Sequence, residues 1–411
     1  MHCSQTMSKS QTRPFSLLAA ILIGALLAAC TTVKAPPASP ACPACPACVP
    51  CPAAVPTAPP AKPMQVARFA DLPGWADDDL TAAWPAFLQS CRALASKPKW
   101  LLWRAACTEA KGIATNDGAA QRRFFEARFE PYLLTNPDAT TSGLITGYYE
   151  PLLHGSRRRS TTFSQAVLGV PSDLLTIELA DVFPDLKGMR LRGRLQGNKV
   201  IPYYSRADIN AREANYADRV LLWVDDAVEL FFLQIQGSGR VKLPDGSMVR
   251  IGYADQNGYP YQAIGRVLAE RGELKIEQTS MQNIQAWARA NPEKLNDVLN
   301  ANPSYVFFRE VQSKGDEGPQ GALGVPLSAE RSIAVDPRQV PLGAPVFLAT
   351  TQPASAAPLR RLMLAQDTGG AIRGVVRADF FWGFGADAGS QAGKMKQQGQ
   401  MWVLLPPGAA P

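Results

Sequence analysis

Histidine is almost absent from this chain. Of 411 residues only two are histidine, and one of them, His2, lies ahead of the apolar run at the N-terminus. A Ser-His-Asp or Cys-His nucleophilic site would rest on His154 alone, beside the run Arg157-Arg158-Arg159, which argues against such a site. The same scarcity leaves a zinc or copper centre short of ligands. No metal and no cofactor are expected. Nucleotide fingerprints are missing as well. The stretch "QIQGSGRV" holds Gly237 and Gly239, with neither a third glycine in dinucleotide register nor a Gly-Lys-Ser/Thr. There are no heptads, no long internal repeat and no second apolar span. Excess charge is modest too. The formal net charge is +7, and Lys9 and Arg13 account for +2 of it within residues 1–29. The remainder suits an anionic substrate and calls for no nucleic acid, with the triple arginine read as a solvated loop.

What is present begins with a leader. Lys9 and Arg13 precede "FSLLAAILIGALLAA", an apolar run too short to span a membrane, which ends in Leu27-Ala28-Ala29-Cys30. Small residues before a cysteine fit a lipoprotein signal over residues 1–29, with Cys30 as the lipidated residue. Thr31 stands where an inner-membrane retention signal would carry Asp, so the expected address is the outer membrane, facing the periplasm. Residues 30–65 read as an extended Pro/Cys-rich tether. Cys42, Cys45, Cys48 and Cys51 mimic iron-sulfur spacing, but an exported chain is a poor place to build a cluster. Two cysteines remain beyond the tether, Cys91 and Cys107, a candidate disulfide across a helical hairpin.

With 46% hydrophobic and 8% aromatic residues over its full length, the chain has the composition of a globular protein. From about Ala67 to Pro137 apolar residues recur at three-and-four spacing, as in packed helices. Thereafter short β-prone runs dominate. "RVKLPDGSMVRIGY" reads as a hairpin turning at Asp245-Gly246, and helices return over 261–272 and 280–299. Six runs near the C-terminus, "SYVFFREV", "RSIAVD", "APVFLATT", "LRRLMLAQD", "GVVRADFFWG" and "MWVLLPP", suggest a small closed barrel.

Elimination leaves carboxylates in apolar surroundings, which suit acid catalysis on glycosidic bonds. In "GVVRADFFWG" residues 375, 377, 379 and 381 would share a strand face, setting Asp379 beside Phe381 and near Arg377. Asp379 is therefore either a proton donor or a structural carboxylate. Asp367, in "QDTGG", has the composition of a turn.

The segments "LITGYYEP", "LQIQGSGRV", "NPSYVFF", "AVDPRQVPLGAPVFL" and "AQDTGGAIRG...RADFFWGFGADAGSQAG" occur in the order seen in the membrane-bound lytic murein transglycosylase A family. The chain resembles that family over roughly residues 80 to 405. The resemblance implies a mainly β, α+β fold: a double-psi β-barrel domain carrying an inserted second β-rich domain, with a deep groove between them. The barrel domain, with its helical lead-in, would combine 66–147 with 303–405, and the insertion would be 148–302. The three aspartates of the family's C-terminal domain map to Asp336, Asp367 and Asp379. The implied reaction is lytic exotransglycosylase cleavage of the β-1,4 bond between N-acetylmuramic acid and N-acetylglucosamine. It leaves a 1,6-anhydro ring, with Asp379 as the single acid/base and Asp367 as a supporting acid. The implied partners are peptidoglycan strands, the outer membrane through the N-terminal lipid, and proteins of cell-wall synthesis or scaffolding. Alternatives are a non-catalytic peptidoglycan-binding lipoprotein and an inverting glycan hydrolase. One departure stands out: where the family commonly has His-Phe-Asp, this chain has Arg377-Ala378-Asp379.

Further groove candidates each carry a structural alternative. Tyr148 and Tyr149 could stack on sugar faces or sit in the core. Gln234, Gln236 and Ser238, read as one strand face, could bind N-acetyl groups or satisfy an intersheet network. Trp382 is a platform or a core residue, and Asp387 a loop acid. Gly369, Gly370 and Gly383 suggest backbone close to substrate.

Overall fold

The structure is a computed structural model describing residues 62–312 and 317–409. The leader, Cys30 and the tether cysteines therefore lie outside the described residues. After a short strand β1 (Met64–Val66) come three helices, α1 (Leu80–Leu94), α2 (Trp100–Ala110) and α3 (Gly118–Arg128), then β2 (Glu130–Leu134). Helix α1 starts where the Asp79 carboxylate accepts the Thr81 amide at 3.0 Å. It buries Leu80, Ala83, Trp84, Phe87, Cys91 and Leu94, one stripe at helical spacing. Trp84 and Phe87 meet Phe125 of α3 with ring centroids 5.7 and 5.1 Å apart. Cys91 and Cys107 are disulfide-bonded, tying α1 to α2.

Strand β3 (Gly143–Glu150) leads through Pro151 into a second body. Its strands are β4 (Leu152–Ser156), β5 (Gln165–Leu168), β6 (Leu175–Thr176), β7 (Arg192–Gln196), β8 (Lys199–Pro202), β9 (Val220–Val224), β10 (Ser238–Lys242), β11 (Met248–Gln256) and β12 (Val306–Glu310). Its helices are α4 (Arg206–Ala211), α5 (Ala227–Gln236), α6 (Ile264–Glu270), α7 (Met281–Ala290) and α8 (Pro292–Asn300). Six of the strands form a sheet in the order β12-β11-β10-β4-β9-β5, and β6, β7 and β8 form a small sheet of their own. The hairpin read from the sequence is β10–β11, with Lys242 opposite Met248. At its turn Gly246 has φ of 83° and the Asp245 carboxylate accepts the Ser247 amide.

The chain then returns with β13 (Ser332–Val335), β14 (Pro345–Thr351), β15 (Pro358–Asp367), β16 (Ala378–Phe384), helix α9 (Gly385–Lys394) and β17 (Lys396–Leu405). These five strands and β3 close a ring: β3 pairs with β16, β16 with β13, β13 with β15, β15 with β14, β14 with β17, and β17 with β3. A six-stranded barrel is therefore present, but its sixth strand is β3 rather than "SYVFFREV". That segment is β12, and it pairs antiparallel with β11 in the other sheet. Local pattern cannot distinguish the two sheets, and here both faces of the strand are buried, Phe307 packing with Tyr203 and Tyr305 and Phe308 with Leu153 and Ile251. One face of the barrel strands fills the main core with Ile145, Ile333, Val335, Ala365, Ala378 and Phe380. The opposite face carries the acids.

Candidate active site

Ala334 of β13 is the register point of the site. It pairs with Asp379 of β16 on one side and with Asp367 of β15 on the other. Paired residues project to the same face, so the two acids flank a methyl group, with Cα atoms about 10 Å apart at ordinary strand spacing. Asp367 reaches this face through a bulge. The β13–β15 register runs from Ile333 opposite Ala365 to Ala334 opposite Asp367, leaving Gln366 as the extra residue. The Gln366 amide is fully buried, accepts from Ser332 Oγ at 2.6 Å and donates to the Ala86 carbonyl of α1 at 2.8 Å. Asp367 was expected in a turn. It is instead the last residue of a strand, re-aimed by that bulge.

Strand β3 supplies the other wall, parallel to β16, with Thr146 opposite Asp379 and Tyr148 opposite Phe381. The Thr146 hydroxyl donates to Asp379 Oδ1 at 2.6 Å. The Tyr148 hydroxyl donates to Asp367 Oδ2 at 3.0 Å, and the Ala322 amide donates to Oδ1 at 2.9 Å. Tyr148, Phe381, Ala334, Leu327 and Ile372 form a small apolar cluster beneath the acids.

Burial in these surroundings pushes the Asp379 carboxyl up to about 6. The Thr146 hydrogen bond and the Arg377 charge oppose the rise, and the negative charge of Asp367 adds to it. Asp367 is also raised by burial, against the pull of its amide donors, the Tyr148 hydroxyl and the charge of Arg190. Burial, with both acids nearby, holds the Tyr148 hydroxyl well above its ordinary value, so it remains a donor. The third aspartate differs. Asp336 accepts from Arg338 Nε at 3.0 Å, from the second guanidinium nitrogen of Arg338 at 2.7 Å and from the Gly374 amide at 3.1 Å. Those bonds hold its carboxyl down to about 2. It clasps two loops and is not offered to a substrate.

The second body meets this face through several contacts. The Tyr149 amide donates to Gln236 Oε1 at 3.1 Å, Arg240 donates to the buried Glu150 carboxylate at 2.8 Å, and the Arg240 guanidinium lies 3.8 Å from the Phe384 ring centroid. Arg190, between β6 and β7, acts electrostatically on Asp367. The insert thus adds the positive charge of Arg190 near Asp367, while Arg240 is taken up by Glu150.

Several sequence-stretch readings change here. Gln234, Gln236 and Ser238 do not alternate on a strand. The first two lie on α5, which Asp226 caps by accepting the Val228 and Glu229 amides and Gly237 ends at φ of 79°. Gln234 is buried, Gln236 bonds Tyr149, and Ser238 opens β10. The capping pattern of Asp226 and Glu229 was the signal available for that helix. Tyr148 serves Asp367 from within the core. Tyr149 is 8% exposed, with its ring where a side chain on Gly389 would clash. Trp382 is on the opposite face from Asp379, packed on Phe380 at 4.7 Å and donating to the Met395 sulfur. Gly369 and Gly370 follow β15 in the turn, and a side chain at Gly370 would meet open space. Gly383 has φ of 107°, within the β16–β3 irregularity. Asp387 is exposed in the first turn of α9. Arg377 falls just before β16 and still reaches the site. Thr146 went unnoticed, because only pairing across more than 200 residues sets it beside Asp379. Among the described residues no group of His, Cys, Asp or Glu could hold a metal ion.

Comparison with known proteins agrees with this construction. Residues 144–309 match the family model described as the MltA specific insert domain, and residues 331–405 match the 3D domain. The membrane-bound lytic murein transglycosylase A of Escherichia coli K12 is 33% identical over 274 residues, covering 64% of this chain and 66% of its own length, just under two thirds. The crystal structure of MltA from Neisseria gonorrhoeae in its monoclinic form is 39% identical, with a TM-score of 0.74, covering 85% of this chain and 94% of that one. The structure of Escherichia coli MltA with bound chitohexaose is 26% identical, with a TM-score of 0.63, covering 85% and 96%. A 3D barrel carrying this insert defines one class of lytic transglycosylase fold, that of the Escherichia coli MltA structure. Within that class, the chain belongs to the MltA family.

Proposed function

We propose that this protein cleaves the β-1,4 bond between N-acetylmuramic acid and N-acetylglucosamine in peptidoglycan, leaving 1,6-anhydromuramoyl ends. The observation that carries the reading is Asp379, half-buried on the barrel face and pushed up to about 6, so that it exchanges a proton near neutrality. The protonated carboxyl gives its hydrogen to the glycosidic oxygen as the bond from C1 breaks. The muramyl C6 hydroxyl then attacks C1 and returns its proton to the same carboxylate. No water is consumed, and one acid/base suffices. Asp367 supports the positive charge developing at C1. An inverting hydrolase would need a second carboxylate to activate water at a separation of about 6.5–9.5 Å. Both oxygens of Asp367 already accept hydrogen bonds, which favours the supporting role. The chitohexaose held by the Escherichia coli relative agrees with an amino-sugar polymer as substrate.

Around this chemistry we propose the remaining assignments. Cys30 carries a lipid that anchors the protein in the outer membrane on the periplasmic side. The glycan lies between the barrel face and the inserted strands. Among the described residues no helix is long and apolar enough to cross a membrane. Digestion of purified sacculi followed by mass spectrometry of the muropeptides tests the reaction. Anhydro ends are expected, and reducing ends that contain the elements of water would instead establish hydrolysis.

A further inference from the structure

We infer that Arg377 is a positioning residue that acts through Thr146: it fixes the direction of the Thr146 hydroxyl hydrogen and thereby reserves Oδ2 of Asp379 for the reacting proton. The inference rests on the acid/base reading of Asp379 and adds to it which oxygen works and what selects it.

A threonine hydroxyl has one hydrogen and can accept through its oxygen, whereas a guanidinium can only donate. Arg377 approaches Thr146 Oγ1 with a terminal guanidinium nitrogen at 2.9 Å, so that contact must be a bond from arginine to the hydroxyl oxygen. The single Thr146 hydrogen is left for the second contact, 2.6 Å away at Asp379 Oδ1. Oδ1 is then an acceptor in both protonation states, and the carboxyl hydrogen of the neutral acid sits on Oδ2. The guanidinium is itself held, since its other terminal nitrogen donates to the carbonyls of Leu144 and Ala378. Without that clamp the hydroxyl could turn and accept a proton from Oδ1, directing the acid away from the substrate. Arg377 is half-buried. The other charged or titratable groups facing Asp379 are Asp367 on β15 and Tyr148 on β3, with Arg190 acting on Asp367 from the insert. Lys396 of β17 is in register with Thr146 one strand further on.

The test is a carbon-13 NMR titration of the Asp379 carboxyl, paired with pH profiles of sacculus digestion, for the full chain and three variants, with digestion alone for Asp379→Asn. Arg377→Ala and Thr146→Val should each move the Asp379 midpoint upward by about half a unit or more, because both remove stabilisation of its carboxylate. The alkaline limb of kcat should move with the midpoint while kcat falls about tenfold and KM stays nearly constant. Thr146→Ser, which keeps the hydroxyl, should restore midpoint and rate together. If Arg377→Ala lowers activity with the midpoint and limb unmoved, Arg377 is merely structural and the inference falls. Retained turnover in Asp379→Asn would instead overturn the acid/base reading beneath it. The NMR midpoint is independent of turnover, so the two failures are distinguishable.

Discussion

Two regions around one short strand, β13, use the same residue type in opposite ways. Around Ala334, Asp367 and Asp379 have no arginine bonded directly to either carboxylate, and burial raises both. Two residues further along the chain, Asp336 is 1% exposed but gripped by Arg338, and it falls to about 2. The difference lies in what faces each carboxylate. A hydroxyl and amides hold an acid in place while leaving its proton available, whereas a guanidinium bonded to both oxygens takes the proton out of play. The inserted domain also sets arginines against acids, Arg240 on Glu150 of β3 and Arg192 on Asp255, each through one carboxylate oxygen, and burial keeps the Glu150 carboxyl raised despite its partner.

The contrast can be broken most strongly at Asp379. Asp379→Asn should lower kcat on sacculi by about 10²–10⁴-fold while leaving the melting temperature nearly unchanged, as read by muropeptide release beside a thermal scan. Removing the Cys91–Cys107 bond, which closes a separation of 16 residues, should cost about 3 kcal/mol of stability but leave the pH profile in place. A shifted profile in that variant would show that the helical layer tunes the acids. Asp367→Asn should reduce kcat by about 10–100-fold and move the alkaline limb downward, because the charge that raises Asp379 is gone. That direction is opposite to the shift expected for Arg377→Ala. The smallest effect belongs to Asp336. Its folded value of about 2 lies below the ordinary aspartate value near 4, so it stabilises the fold above about pH 4 and loses that contribution as pH falls through 2. Asp336→Asn should cost about 1–2 kcal/mol at neutral pH, with Arg338 partly exposed, and flatten the stability profile between pH 4 and 2 in chemical denaturation.

Much of this was legible from residues and spacing. The strand "GVVRADFFWG" places Asp379 and Phe381 on one face, and its regular part starts at Ala378. The helical lead-in and the Asp245-Gly246 hairpin announce themselves through periodicity and turn chemistry. What stayed hidden depends on long-range pairing. Nothing local says that Thr146 will sit opposite Asp379 or that Gln366 will be the bulge that turns Asp367. The apolar run "AVELFFLQIQ" offers no clear period, and its end resembles a strand until the Asp226 cap is weighed. "SYVFF" has the same alternation as a barrel strand and joins the other sheet, because sheet membership is decided by partners far along the chain.

Ring closure decides when the acid face is complete. Strand β3 finds its neighbour β16 only after some 230 intervening residues have folded out of the way, and β17, the last strand, seals the circle on both sides. A nascent chain that has emitted the insert but not its final strands holds Thr146 and Tyr148 with nothing to hold them against. On the proposed function, therefore, a copy that has not yet paired β16 and β17 with β3 has no assembled site with which to act on glycan.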